Sequence, residues 1–138
     1  MLVPKKVKYR KWHTMRKNPL KVGVASRGAT VAFGSFGIKA MEAKRIRSNQ
    51  LEAGRKVLSR TIGKTGKLWI RVFPDMPYTS KPAEVKLGKG KGDLAGYVAA
   101  VKAGTVIFEV DGVSEVIARE ALRKSGTKLP LKTKIIAR

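Results

Sequence analysis

The sequence predicts an α+β fold, a sandwich of a mainly antiparallel sheet with two helices, preceded by an extended basic N-terminal arm. Three observations lead to this prediction. Two stretches repeat apolar residues at helical intervals, six others have strand-like patterns, and the first 28 residues are basic without a globular pattern. We therefore expect a basic arm over 1–28 and a single folded domain over 29–138.

The arm carries only positive charge. Ten Lys and Arg residues precede Glu42, the first acidic residue, and such a run repels itself, so we expect little fixed structure in isolation. Tyr9 and Trp12 lie among these cations and can stack on bases or sugars while Lys and Arg neutralise phosphates. The alternative is a cationic tail with one ring packed on the domain. Because the charge spans the whole arm, we favour nucleic-acid contact.

The first elements of the domain are a strand and a helix. Residues 29–33 alternate loosely and are predicted as a strand that the following glycines close. A helix is predicted over 48–63, where Asn49 and Glu52 have capping-box spacing and Gly63 is a natural end. Its apolar face repeats at helical intervals and consists of Leu51, Leu58 and Ile62, flanked by Ala53 and Val57.

The opposite face of this helix carries three cations, Arg55, Lys56 and Arg60. One interpretation is the solvated face of an ordinary amphipathic helix. The other is contact with phosphate groups, which a chain of this charge makes plausible. The sequence favours neither interpretation over the other.

The next strand, predicted over 67–73, has two different faces. Leu68, Ile70 and Val72 lie on one face, and the other carries Trp69, Arg71 and Phe73. A cation between two aromatic rings suits contact with RNA. The alternative is a covered second face of the sheet from which Arg71 extends to solvent. Both interpretations stay open.

Prolines and glycines dominate the middle of the chain. Three prolines predict an extended connection over 74–82, and a short strand is predicted at 85–87. Three glycines then alternate with Lys89 and Lys91, and Lys86 precedes them. Such a loop can bring backbone amides and ammonium groups very close to another surface. We favour phosphate contact over an unused hairpin tip.

The last third of the sequence predicts four further elements. Strands over 96–101 and 105–110 are predicted to form a hairpin. Ser114 is predicted to cap a second helix that ends at Gly126, and a final strand is predicted over 131–136. The buried side of this helix is expected to consist of Val116, Ile117, Ala121 and Leu122.

Composition excludes several classes of function. The 138 residues have a net charge of +22, whereas the net charge of a small soluble domain has a magnitude of about 2–8. The excess requires a polyanionic partner. The absence of cysteine and the single histidine, His13, argue against thiolate and histidine-cluster metal sites. Gly63 and Lys64 resemble part of a phosphate-binding loop, but position 58 is Leu instead of Gly. We predict no enzyme, no cofactor and no small-molecule substrate.

The expected location follows from two further patterns. No apolar run approaches the roughly 20 residues of a membrane span, and the N-terminus resembles neither a secretory signal nor a transit peptide. We therefore expect a soluble intracellular protein. A DNA-compacting protein, a cationic membrane-surface protein and a nucleotide-binding enzyme are alternatives, in descending order.

An ordered set of motifs resembles the bacterial and organellar family of large-subunit ribosomal protein sixteen. The motifs are Pro4-Lys5-Lys6, Tyr9-Arg10-Lys11 with His13, Phe33-Gly34-Ser35-Phe36-Gly37, Gln50-Leu51-Glu52-Ala53, the run from Gly66 to Asp75, Lys81-Pro82-Ala83-Glu84, the run from Gly88 to Gly92, and Ala118-Arg119-Glu120-Ala121. Any one of these motifs is weak, but the ordered set is specific and spans nearly the whole chain.

The resemblance implies a structural component of the large ribosomal subunit without catalytic activity. It implies rRNA near the peptidyl-transferase centre and the A site as partner, together with A-site transfer RNA and, as a further option, P-site transfer RNA. Neighbouring ribosomal proteins and a part in late subunit assembly are also implied. The implied location is the cytoplasm of a bacterium, with an organelle as the less favoured location. Lys86 stands where the family often has an arginine that some bacteria hydroxylate, so that arginine modification is not expected here.

The candidate RNA contacts combine this resemblance with the basic patterns described above. The arm positions that match the family motif are Lys5, Lys6, Arg10, Lys11 and His13, and those of the loop are Lys89 and Lys91. The complete candidate set is Lys5, Lys6, Lys8, Arg10, Lys11, Trp12, His13, Arg16, Arg55, Lys56, Arg60, Arg71, Lys86, Lys89 and Lys91.

Overall fold

The computed structural model describes residues 2–14 and 22–138 and confirms the α+β class. This part of the chain forms two helices and seven strands, and every pair of neighbouring strands is antiparallel. The elements are β1 Phe36–Ala40, β2 Lys44–Arg47, α1 Ser48–Ile62, β3 Lys67–Ile70, β4 Met76–Ser80, β5 Asp93–Val101, β6 Val106–Asp111, α2 Glu115–Gly126 and β7 Thr133–Ala137.

The strands form two sheets that share one core with the helices. A four-stranded sheet has the order β3-β6-β1-β7, and a three-stranded sheet has the order β2-β5-β4. Helix α2 packs on β1, β6 and β7, whereas α1 contacts α2, β2, β3 and β5 and so joins the two sheets. The approach is close because α1 carries Gly54, where an added Cβ atom would lie 2.9 Å from the Phe108 ring.

Helix α1 follows the sequence prediction closely. Leu51, Leu58 and Ile62 are buried as expected, and Gly63 ends the helix with a φ angle of 69°, which glycine adopts without strain. The predicted capping pair of Asn49 and Glu52 is wrong, because the N-cap residue is Arg47. The Gln50 side chain accepts a hydrogen bond from the Arg47 N–H over 2.9 Å.

Helix α2 begins after Ser114 and ends at Gly126, as expected. The Ser114 carbonyl accepts a hydrogen bond from the Ala118 N–H over 2.9 Å. The predicted buried side is only partly correct, because Val116 and Ile117 are 78% and 43% exposed. The residues that face the core are Ala118, Ala121, Leu122 and Ser125.

The strand predicted over 29–33 is wrong. These residues lack strand pairing, and the first strand, β1, starts at Phe36 instead. The backbone N–H groups of residues 32–34 are taken up by the side chain of Glu109, so they do not join a strand ladder.

The strand predicted over 85–87 is also wrong. Leu87 in this segment is 98% exposed and has no sheet to pair with. The strand β4 lies earlier, inside the segment predicted as an extended connection, and includes Pro77. Since β4 is an edge strand of its sheet, the missing N–H group of proline is tolerated there.

The strands predicted over 96–101 and 105–110 exist, but the predicted hairpin does not. Strand β5 pairs with β2 and β4, whereas β6 pairs with β1 and β3, so the chain changes sheets between them. The turn bonds to the end of β1: the Gly104 N–H donates to the Ala40 carbonyl over 2.7 Å, and Thr105 accepts from the Ala40 N–H. The remaining differences are small: β2 was not predicted, β3 ends at Ile70, and β7 starts at Thr133.

Candidate nucleic-acid interface

The arm and the glycine–lysine loop lie side by side. The Lys91 ammonium group donates a hydrogen bond to the Trp12 carbonyl, and the Lys11 ammonium group lies 3.8 Å from the Asp93 carboxylate. At the other end of the arm, Leu2 packs against the hydrophobic core. The structure thus brings together two basic segments that are about 80 residues apart in the sequence.

We call residues 5–13 and 86–91 together the arm–loop surface. All of the candidate residues in these two ranges are exposed to solvent, and they are Lys5, Lys6, Lys8, Arg10, Lys11, Trp12, His13, Lys86, Lys89 and Lys91. The Lys8 ammonium group lies 5.5 Å from the centre of the Tyr9 ring, so aromatic and cationic groups are interleaved as nucleic-acid contact requires. Arg16 lies outside the described residues.

The backbone of the loop has an uncommon conformation. Gly88, Lys89 and Gly90 have φ angles of 103°, 55° and 95°, a left-handed run that only glycine-rich sequence adopts without strain. The Lys81 ammonium group donates to the Gly88 carbonyl over 2.5 Å and supports the loop from its base. Eleven residues between Ser80 and Asp93 line an open cleft of about 630 Å³. The glycines therefore shape a loop that presents its lysines outward.

The basic face of α1 is only partly available. Arg55 forms a two-point ion pair with Glu52, with the Nη2 and Nε atoms 2.6 and 3.0 Å from the carboxylate oxygens. This hydrogen bonding lowers the pKa of Glu52 and raises the pKa of Arg55. Lys56 and Arg60 are exposed, and no carboxylate of the described residues forms an ion pair with either. These two residues are the better candidates on this face.

Arg71 is held by a buried acid. Its Nη1 atom lies 2.5 Å from Oε1 of Glu109, a side chain with no exposed surface, and its guanidinium carbon lies 4.9 Å from the centre of the Phe33 ring. The Arg71 side chain keeps only a fifth of its surface exposed. Arg71 itself is therefore largely covered and stacked on an aromatic ring, and both sequence interpretations of this face stay open.

Glu109 is a residue of this region that sequence reasoning missed. Its Oε2 atom accepts from the N–H groups of Phe33 and Gly34 over 2.7 and 2.9 Å, and Oε1 accepts from Ala32 over 3.0 Å and from Arg71. Burial raises the pKa of Glu109, but these four donors outweigh it and hold the pKa below its usual value of 4.5. We call this arrangement the Glu109 clamp. It fixes the point where the arm enters the domain.

Helix α2 is charge-compensated, in contrast to the arm–loop surface. Arg119 pairs with Glu115 at 2.7 Å, and Glu120 pairs with Arg123 and Lys124 at 2.9 and 3.3 Å. The hydrogen bond from Arg123 and that from Lys124 lower the pKa of Glu120 to about 2. The uncompensated positive charge is therefore concentrated away from this helix.

The described residues contain neither a membrane-spanning helix nor a metal-binding cluster. No helix among residues 2–14 and 22–138 is long and apolar enough to cross a membrane. Within the same residues, no three or more His, Asp or Glu side chains cluster in a way that would hold a metal ion.

Comparison with known proteins gives a consistent result. The family described as ribosomal protein L16p/L10e matches residues 4–136. The large ribosomal subunit protein uL16 of Thermosipho melanesiensis is 56% identical over 138 residues, which are 100% of this chain and 94% of that protein. A protein of the same name from Rhodopseudomonas palustris is 54% identical, with 100% and 98% covered. These matches confirm the resemblance found in the sequence motifs: the chain belongs to the L16p/L10e family of ribosomal proteins.

Proposed function

We propose that the chain is a structural constituent of the large ribosomal subunit and binds rRNA through the arm–loop surface. As a ribosomal protein it has a structural role and no enzymatic one. The observation that carries the proposal is the hydrogen bond from Lys91 to the Trp12 carbonyl, which joins two basic segments into one surface. Its partners are rRNA and neighbouring ribosomal proteins, and its location is the cytoplasm of a bacterium.

The division of the chain follows the same proposal. Residues 1–28 form the RNA-binding arm, and residues 29–138 form the folded domain that carries the loop. Backbone hydrogen bonds support a firm attachment: the Ala25 N–H donates to the Ala103 carbonyl, and the Val106 N–H donates to the Gly28 carbonyl, both over 2.8 Å. The base of the arm is thus tied to the domain before the Glu109 clamp is reached.

The binding mechanism is electrostatic, with recognition of RNA shape. Each phosphate that a lysine or arginine neutralises releases condensed counterions, so affinity falls steeply as salt rises. Folded RNA is recognised through its backbone and its unstacked bases, which suits a rigid domain with one arm and one loop projecting from it. The exposed Trp12 and Tyr9 rings add stacking to the charge contacts.

The finer part of the proposal concerns the place of binding. The charge of the arm–loop surface and the family resemblance support rRNA near the peptidyl-transferase centre and the A site, contact with A-site transfer RNA, P-site transfer RNA as an additional contact, and a part in late subunit assembly. A loop with a left-handed glycine backbone suits this role because it brings Lys89 within reach of a crowded RNA surface.

The test is a double substitution, Lys89→Ala with Lys91→Ala. Both lysines are exposed, so the domain should stay folded. The slope of log affinity against log salt concentration should become shallower by the amount that corresponds to about two lost phosphate contacts. Large-subunit particles should accumulate in an immature form, measured by sedimentation. The matched control is Lys102→Ala with Lys128→Ala, two exposed lysines outside the arm–loop surface. An unchanged salt slope with normal subunit profiles and normal translation would contradict the role of the loop.

A further inference from the structure

Strand β3 and its extension carry a second surface with nucleic-acid character. Leu68, Ile70 and Val72 pack against the hydrophobic core. Because side chains alternate across a strand, the residues between them lie on the opposite face. Those residues, with the one that precedes the run and the one that follows it, are Lys67, Trp69, Arg71 and Phe73.

Phe33, which lies in the segment before β1, completes this surface. Its ring stacks with that of Trp69, with ring centres 6.2 Å apart and planes 20° from parallel, and the Arg71 guanidinium lies over the same Phe33 ring. Despite these contacts Phe33 is 56% exposed, and Phe73 is 49% exposed. We call Phe33, Trp69, Arg71 and Phe73 the aromatic face. It leaves much of two large rings in contact with water.

The Glu109 clamp makes the aromatic face rigid. The same carboxylate accepts from the Phe33 N–H over 2.7 Å and from Arg71 over 2.5 Å, so one buried group positions both partners. A preorganised surface loses little conformational freedom when a ligand binds. The rings and the guanidinium are held as a platform before any ligand arrives.

Cations border the aromatic face. Ser35, two residues beyond Phe33, donates from its hydroxyl group to Asp111 over 2.8 Å, and this hydrogen bond is the main reason why the pKa of Asp111 is lowered. Lys67 is the partner of Asp111 across β3 and β6, and the Arg138 N–H donates to the Ser35 carbonyl over 2.9 Å, so both residues lie beside Asp111. Two cations and one acid therefore lie at the end of the aromatic face that holds Phe33 and Trp69, an arrangement that leaves a net positive charge.

We propose that the aromatic face binds an unpaired base of an RNA strand by stacking, while Lys67 and Arg138 neutralise the flanking phosphates. Exposed rings and a stacked guanidinium offer flat π-surfaces, which every nucleobase can match. The net charge of +22 favours a polyanion over an apolar peptide as the occupant. The proposal rests on the proposed RNA-binding function, but it concerns a surface other than the arm–loop surface.

Tryptophan fluorescence tests this proposal directly. The chain has two tryptophans, so in a Trp12→Phe background the signal reports on Trp69 alone. The probes are a hexamer of riboadenosine and an abasic ribose-phosphate hexamer of equal charge. We expect the riboadenosine hexamer to quench Trp69 and the abasic hexamer to leave its emission unchanged.

Substitution of an aromatic ring separates stacking from charge. In the same background, Phe73→Leu keeps apolar bulk but removes a π-surface, and we expect affinity for the riboadenosine hexamer to fall about tenfold. The salt slope should not change, because no phosphate contact is lost. Phe33→Leu should act in the same direction, with circular dichroism and thermal unfolding as the check on folding. The matched control is Val116→Ala, at an exposed apolar position on α2, which should bind like the parent.

Each outcome has a distinct meaning. Equal binding of the two hexamers, or unchanged affinity in a folded Phe73→Leu variant, would overturn base stacking and leave rRNA binding by the arm–loop surface intact. A Trp69 response to an apolar peptide but not to the riboadenosine hexamer would assign the aromatic face to a protein partner and overturn the proposal. Failure of the unmodified chain to bind rRNA at low salt would instead overturn the proposed function.

Discussion

Removal of the Glu109 carboxylate tests how the arm is fixed to the domain. Glu109→Ala leaves four donors without an acceptor, namely three backbone N–H groups and the Arg71 guanidinium. An unsatisfied buried donor costs about 1–3 kcal/mol, and breaking a buried ion pair by removing one partner costs about 3–5 kcal/mol. Because residues 32–34 can move outward and regain hydrogen bonds to water, we expect the free energy of unfolding to fall by only about 3–5 kcal/mol. This is a large share of a typical free energy of unfolding of about 5–15 kcal/mol.

Glu109→Gln separates the charge of this side chain from its shape. The amide keeps one carbonyl oxygen, which can accept from two donors, but its NH₂ group faces the other two. We expect a loss of about 2–4 kcal/mol, measured as a shift of the urea midpoint at constant slope. The matched control is Glu84→Gln, which makes the same charge change at an exposed position. Equal stability of the two variants would refute the clamp.

Limited proteolysis reports on the same substitution locally. Arg27 is exposed and lies five residues before the first clamped N–H group. If the clamp fixes this junction, its loss raises the population of locally open chain, and trypsin should cleave after Arg27 faster in Glu109→Gln than in Glu84→Gln. Equal cleavage rates, together with a lower global stability, would mean that Glu109 stabilises the core without holding the arm.

Three further predictions follow from the same structure. The folded-state pKa of Glu109 is lowered, so the clamp contributes its full stabilisation above pH about 4.5 and loses it as the pH falls through the folded-state pKa. The difference in free energy of unfolding between the parent and Glu109→Gln should therefore shrink in acid. Urea unfolding between pH 3 and 7 measures this difference. Gly54→Ala should destabilise by about 1–3 kcal/mol in thermal unfolding, although alanine favours helices, because its Cβ would lie 2.9 Å from the Phe108 ring. Leu87→Ser should leave the unfolding midpoint unchanged, because Leu87 is 98% exposed.

Elements with a strong local pattern could be predicted from the sequence. Helix α1 was placed within one residue of its observed end, because Leu51, Leu58 and Ile62 repeat on one face and Gly63 ends it. The strands that depend on distant partners were less predictable. Pro77 indicated a loop, yet β4 is an edge strand where proline is tolerated. Nothing local shows that β5 and β6 belong to different sheets, since that is decided by the strands on either side of them.

The candidate site divides in the same way. Charge runs revealed the arm and the loop, but their contact through Lys91 and Trp12 is a tertiary feature without a sequence pattern. Glu109 did leave a signal, because an acid within an otherwise apolar strand must find partners when it is buried. The identity of those partners, the N–H groups of residues 32–34, could not be read from the sequence, because a carboxylate can accept from any backbone donor.

The distance along the chain between Glu109 and its backbone partners has a consequence for biosynthesis. The carboxylate comes 75 to 77 residues after the N–H groups that it binds. Strand β1 likewise cannot complete its pairing until β6 and β7, its two neighbours in the sheet, have been synthesised. Contacts of such long separation form late when a protein emerges from its N-terminus. During translation the basic arm is therefore synthesised well before Glu109, and it can contact polyanions while the rest of the chain is still being made.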